Sequence, residues 1–142
     1  MNINTIVEEY GWFVAKFEAT KYLPSFVYTI GLWKTFQHPE LIIFGLQLQT
    51  MHEILNIGGE LVREHKIPKI GEITDNFFES SKAVIIPVDE SSMKDYFGYG
   101  IEYYQGDFLA HQIIWTDRNN KFPWDKDFGK EIQFKQPLLE LV

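Results

Sequence analysis

Two apolar segments, residues 26–32 and 41–46, constrain the fold of this chain more than any other feature. The first alternates large side chains (Phe26, Tyr28, Ile30, Leu32) with a small set (Val27, Thr29, Gly31). Period-two alternation marks a strand, and the small set predicts a face that another element approaches closely. The second segment runs from Leu41 to Leu46 without a polar residue. That is the pattern of a central strand covered on both faces. Pro39 cannot donate to a ladder, so it marks the point just before this strand enters the sheet.

The remaining elements follow from periodicity. Residues 11–18 read as a first strand, with Pro24 in the turn that follows. Residues 47–65 switch to helical spacing, with Leu48, Met51, Leu55 and Val62 on one stripe and Gly58-Gly59 near it as a weak point or a close packing site. Residues 71–78 and 82–88 read as two further strands. A second helix opens near Ser91 or Ser92 and carries Met93, Tyr96, Phe97, Ile101 and Tyr104 on one stripe. Residues 108–115 form a long last strand. The order is βββ-α-ββ-α-β, so the expected class is α+β, a mixed or antiparallel sheet of about six strands with two main helices. Residues 1–142 are expected to form one domain, since the chain has the length of one and shows no linker or repeat.

Composition narrows the function classes. The formal charge is −7, with −6 of it in residues 70–107, where eight acids face Lys82 and Lys94. An acidic middle argues against nucleic-acid binding, which needs cations to neutralise phosphates. It suits a solvated face, or a surface steered toward a basic partner. The chain has no cysteine, so disulfides, thiolate metal sites and cysteine nucleophiles are excluded. No apolar run is long enough to span a bilayer and the first residues lack a signal-peptide pattern, so no membrane association and a cytoplasmic location are expected.

Familiar catalytic patterns fail one by one. His38-x-Glu40 matches half of the zinc deaminase signature, but the other half needs two cysteines. The four histidines form no His-Glu-x-x-His pair. Gly98-x-Gly100 lacks the third glycine of a dinucleotide loop, and no serine has a nucleophile-elbow context. No cofactor and no metal are assigned. What remains is a set of polar residues in apolar settings: Thr29, His38, Glu40, His111 and Gln112, then Trp115, Asp117 and Phe122-Pro123-Trp124. They either satisfy one another at strand ends or line one pocket with aromatic walls.

These residues together resemble a bacterial family of small single-domain proteins catalogued as a domain of unknown function. The marks are Gly11-Trp12, the strand from Phe26 to Leu32, the His38-Pro39-Glu40-Leu41 turn with its strand ending Gly45-Leu46, Trp115 with Asp117, and Phe122-Pro123-Trp124. Where the family has glycine before the basic-Phe-Pro-Trp run, this chain has Asn120, which tolerates the same left-handed turn geometry. The resemblance supplies no reaction. In size and acidity such proteins are similar to immunity proteins of antibacterial toxin systems.

The leading expectation is a non-enzymatic protein-interaction domain, most concretely an immunity protein that neutralises a basic toxin domain through an acidic surface. The contact residues would be Glu72, Asp75, Glu79, Asp89, Glu90, Asp95 and Glu102, with Tyr99 and Tyr103 as anchors. The alternative is a small-ligand-binding or enzymatic domain with a pocket around Thr29, His38, Glu40, His111, Asp117 and Trp124. There His38 would serve as acid/base and Glu40 or Asp117 would orient it.

Overall fold

The computed structural model describes residues 2–140. Five strands form one mixed sheet: β1 (Phe13–Phe17), β2 (Phe26–Ile30), β3 (Glu40–Phe44), β4 (Ala83–Pro87) and β5 (Ala110–Trp115). Their spatial order is β1-β2-β3-β5-β4, and only the β3–β5 pair is parallel. The α+β class with a mixed sheet is therefore observed. Residues 26–30 and 40–44 supply its centre, and every residue of both segments is buried.

Helix α3 (Leu48–Arg63) covers one face of the sheet. Its buried stripe packs on Val27, Leu41, Ile43, Ile85, Ile113 and Trp115. The glycine pair of α3 is a packing device. A Cβ at Gly59 would lie 2.4 Å from the Trp12 ring, and one at Gly58 would lie 2.6 Å from a Leu41 methyl. The small side of β2 ends at Gly31, where φ is +128° and a Cβ would sit 2.7 Å from the Gly11 carbonyl oxygen. No L side chain fits there.

The opposite face is aromatic. Phe26, Tyr28, Ile30, Ile42 and Phe44 meet Phe97 and Phe108. The expected second helix is broken into a 3-10 turn (Glu90–Ser92) and two short helices, α4 (Met93–Tyr96) and α5 (Gly98–Tyr104). Asp89, rather than a serine, caps the turn by accepting from the Ser91 amide at 3.2 Å. The break at Phe97 lets the buried Tyr28 hydroxyl accept from the Tyr99 and Gly100 amides at the start of α5, at 3.1 and 3.3 Å. Gly100 is required there for a different reason: a Cβ would meet Phe108 at 2.9 Å.

Three departures from the expected order have local causes. The first residues form a helix, α1 (Ile3–Tyr10), capped by Asn2 accepting from the Thr5 amide and stopped by Gly11 at φ +101°. A short helix, α2 (Leu32–Phe36), fills the β2–β3 connection. The strand expected over residues 71–78 is reduced to one bridge, Thr74 to Ala83. Phe77 turns into the α3 face of the core instead, and the segment lies along β4 as a partial cover for that sheet edge. The Asn120 turn has the left-handed geometry its sequence position requires, with φ +61°.

Candidate functional site

Glu40 begins the central strand with its side chain fully buried. One carboxylate oxygen accepts from the Thr29 hydroxyl at 2.7 Å and the Leu32 amide at 3.1 Å. The other accepts from the Gly31 amide at 2.9 Å, the Trp33 amide at 3.2 Å and the Tyr104 hydroxyl at very short range. The first turn of α2 would otherwise present unpaired amides to the core, so the carboxylate acts as its cap from a neighbouring strand. Thr29 links the network onward by accepting from the Leu41 amide at 2.9 Å. Tyr104 accepts from the Gly31 and Lys34 amides, which fixes its own hydrogen toward Glu40.

Burial raises the pKa of Glu40 above the usual glutamate value, and the Tyr104 hydroxyl, the Gly31 amide and the Thr29 hydroxyl offset only part of that rise. Every partner arrives with a hydrogen, so the ionised carboxylate is the form that leaves none of them unpaired. Burial, then the Glu40 charge, raise the pKa of Tyr104 as well.

His38 and His111 form a second pair, edge to face with ring centroids 5.7 Å apart. His38 Nδ1 lies 2.7 Å from the Pro39 carbonyl oxygen. A carbonyl only accepts, so Nδ1 carries the hydrogen and Nε2 is the basic nitrogen. Burial lowers the pKa of His38, and burial followed by repulsion from His38 lowers that of His111 to about 4. Both rings are therefore neutral near pH 7. His38 makes no hydrogen bond to Glu40: the carboxylate that was expected to orient it is occupied by α2 and Tyr104.

The rest of the expected pocket lies elsewhere. Asp117 follows the far end of β5, about 20 Å along the strand direction from His111 at ~3.3 Å per residue. Its carboxylate accepts from the Asn119, Lys121 and Gly129 amides at 2.8 to 3.0 Å. Those amides, led by that of Lys121, hold its pKa below the usual aspartate value. It ties the residue 117–129 loop into a closed unit. Trp124 stacks on Phe122 at 5.0 Å and is half exposed. The structure thus groups Thr29 with Glu40, and His38 with His111, and sets Asp117 and Trp124 apart.

Gln112 and Trp115 are also engaged within the fold. Gln112 bonds the Pro137 carbonyl and the Leu139 amide. The Trp115 indole donates to the Phe44 carbonyl at 2.7 Å, beyond the last β3–β5 pair, Ile42 with Gln112. Gln136 bonds both the amide and the carbonyl of Trp115, as a strand neighbour would. No sequence pattern marks Gln136 or Tyr104 as a polar partner of these strands. Tyr104 lay on a helical apolar stripe, and nothing in a helical stripe reports where a hydroxyl ends.

The acidic residues fall on three segments. Glu72, Asp75 and Glu79 lie in the loop that carries Phe77 to the α3 side of the sheet, where Asp75 approaches Lys82 at 3.5 Å. Asp89, Glu90 and Asp95 lie in the 3-10 turn, its cap and α4, and Glu102 lies on α5, on the aromatic side. Tyr99 is half exposed but leans on Phe17. Tyr103 donates to the Asn4 side chain at 2.8 Å and so joins α5 to α1.

Among the described residues, no group of three or more His, Asp or Glu side chains is arranged to hold a metal ion. No described helix is long and apolar enough to cross a membrane. A family model described as "Domain of unknown function (DUF4262)" matches residues 6–129, and the chain belongs to that family. No curated protein and no solved structure matches it.

Proposed function

We propose that this member of the family is a non-catalytic protein-interaction domain, and most concretely an immunity protein that neutralises a basic bacterial toxin domain. The observation that carries this reading is the state of Glu40. The one carboxylate at the head of the central strand is closed off by five donors and has no path to a substrate. Asp117, Gln112 and Gln136 are spent on the fold in the same way. The exposed charge, by contrast, is one-sided: residues 90–107 hold four exposed acids, Glu90, Asp95, Glu102 and Asp107, against Lys94 alone. A surface of that kind speeds and selects a cationic partner.

The test is co-expression with the product of the adjacent gene. The expected result is relief of that product's toxicity together with a stoichiometric complex on size exclusion. A toxic neighbour that is neither bound nor relieved removes the proposal. A second reading, a small-ligand or enzymatic site, rests on the basic Nε2 of His38 beside His111. It requires that His38→Ala abolish a ligand-dependent shift in thermal stability.

A further inference from the structure

We propose that the groove between the 3-10 turn, α4, α5 and the start of β5 is the docking site for an amphipathic, basic segment of a partner protein. The groove has a volume of about 570 Å³. Met93, Ile101, Phe108 and Leu109 supply its apolar lining. Phe108 is buried, but the adjacent Leu109 is 61% exposed and Ile101 37%. The fold does not bury that leucine for its own stability.

The charge around the lining identifies the occupant. Glu90 and Asp107 stand at the rim, both exposed, and Lys94 is the single cation lining the groove. An apolar floor under an acidic rim is complementary to a segment with apolar anchors on one side and lysine or arginine flanking them. An acidic segment of the same shape would be repelled, and a neutral one would forgo the rim. The groove is also preformed. The Tyr28 hydroxyl holds the first amides of α5, and the absent side chain of Gly100 sets α5 against Phe108. Binding therefore needs little ordering of the walls. This inference rests on the interaction reading and adds the chemistry of the partner to it.

The experiment titrates the full-length ¹⁵N-labelled protein with two synthetic peptides that share their apolar positions. One carries lysine flanks and the other glutamate flanks. The lysine peptide is expected to shift amides of residues 88–94 and 101–110, with affinity falling about tenfold or more between low and high salt. Leu109→Asp is expected to weaken it at least tenfold. The charge reversal of Glu90→Lys with Asp107→Lys should do the same, and that pair of exposed sites keeps the test available if the first variant misfolds. Shifts elsewhere, equal affinity for both peptides, no shift at millimolar peptide, or full affinity in a folded variant overturns the proposal. If protection from a toxic neighbour survives in both variants, the groove is lost and the interaction reading stands. If the lysine peptide docks but no neighbour is neutralised, the reverse holds.

Discussion

Five hydrogens converge on the carboxylate of Glu40, and among the described residues only one of their donors, the Gly31 amide, has a second acceptor, the Tyr104 hydroxyl. That arrangement makes Glu40→Gln a severe change in spite of its similar shape. The new amide would aim a donor at donors already in place, leaving two or more of them unpaired. Each such group costs about 1–3 kcal/mol, so a loss of about 3 kcal/mol is expected in urea denaturation. A loss below about 0.5 kcal/mol would mean that the native carboxyl holds its proton. At this scale the sequence was half legible. His38 and Glu40 stood out because polar residues at the head of an apolar strand need partners. The partner that closes the site, Tyr104, is 64 positions away. No local pattern connects the two.

The elements were read best where one period dominated over a long stretch. The stripe of α3 was visible in sequence, and so was the choice its glycines posed between weakness and close packing. The structure answers for packing and separates the two positions. At Gly59 the obstacle is the Trp12 ring, itself held by a 3.0 Å bond to Asn56 and by the Arg63 guanidinium over its face. At Gly58 it is the end of a leucine, which can turn aside. Gly59→Ala is therefore expected to cost about 1–3 kcal/mol as an overpacked site. Gly58→Ala is expected to be near neutral, since alanine gains about 1 kcal/mol in helix propensity. Thermal denaturation of the two variants checks the contrast, and equal effects would refute it. Short elements were less legible. The helix at residues 3–10 begins before any long apolar period can build up, and α2 is a single turn held in place by the carboxylate that heads the following strand. The break between α4 and α5 depends on where Tyr28 ends, which lies in another element altogether.

Stability of the whole molecule should depend on acid in a defined way. His38 and His111 have lowered pKa values in the folded state, so the unfolded chain binds protons that the native chain refuses. The His111 contribution is complete above the ordinary histidine value of 6.5 and is lost as pH falls toward about 4, and His38 acts in the same direction. After discounting for partial exposure this amounts to about 1–2 kcal/mol. Glu40 works with the opposite sign, because its raised pKa favours the native state at low pH and that favour is lost as pH rises. Comparing the protein with His111→Asn cancels the Glu40 effect. The urea midpoint of the variant is expected to fall less between pH 6.5 and 4, and parallel profiles would refute the assignment. Fold class was accessible at this scale because a mixed sheet follows from strands in runs. The parallel joint was not, since strand order depends on which partners survive burial together. The tail shows the same limit. Gln136 and Leu139 are buried and bonded to β5, yet both lie beyond the residues that the family model covers.

The parallel joint also has a consequence in time. β1, β2 and β3 can pair as soon as they have been made, since each follows the last through a connection of about nine residues or fewer, the second of them holding α2. The other edge of β3 waits for β5, which ends 71 residues after β3 does. At a synthesis rate of about 5–20 residues per second, that edge stands open on the ribosome for roughly 4–14 s. During that interval the nascent meander presents a strand that is apolar from Leu41 to Phe44, with free backbone donors and acceptors. A holding chaperone acting on residues 40–44 would find its substrate in that window and lose it when β5 arrives.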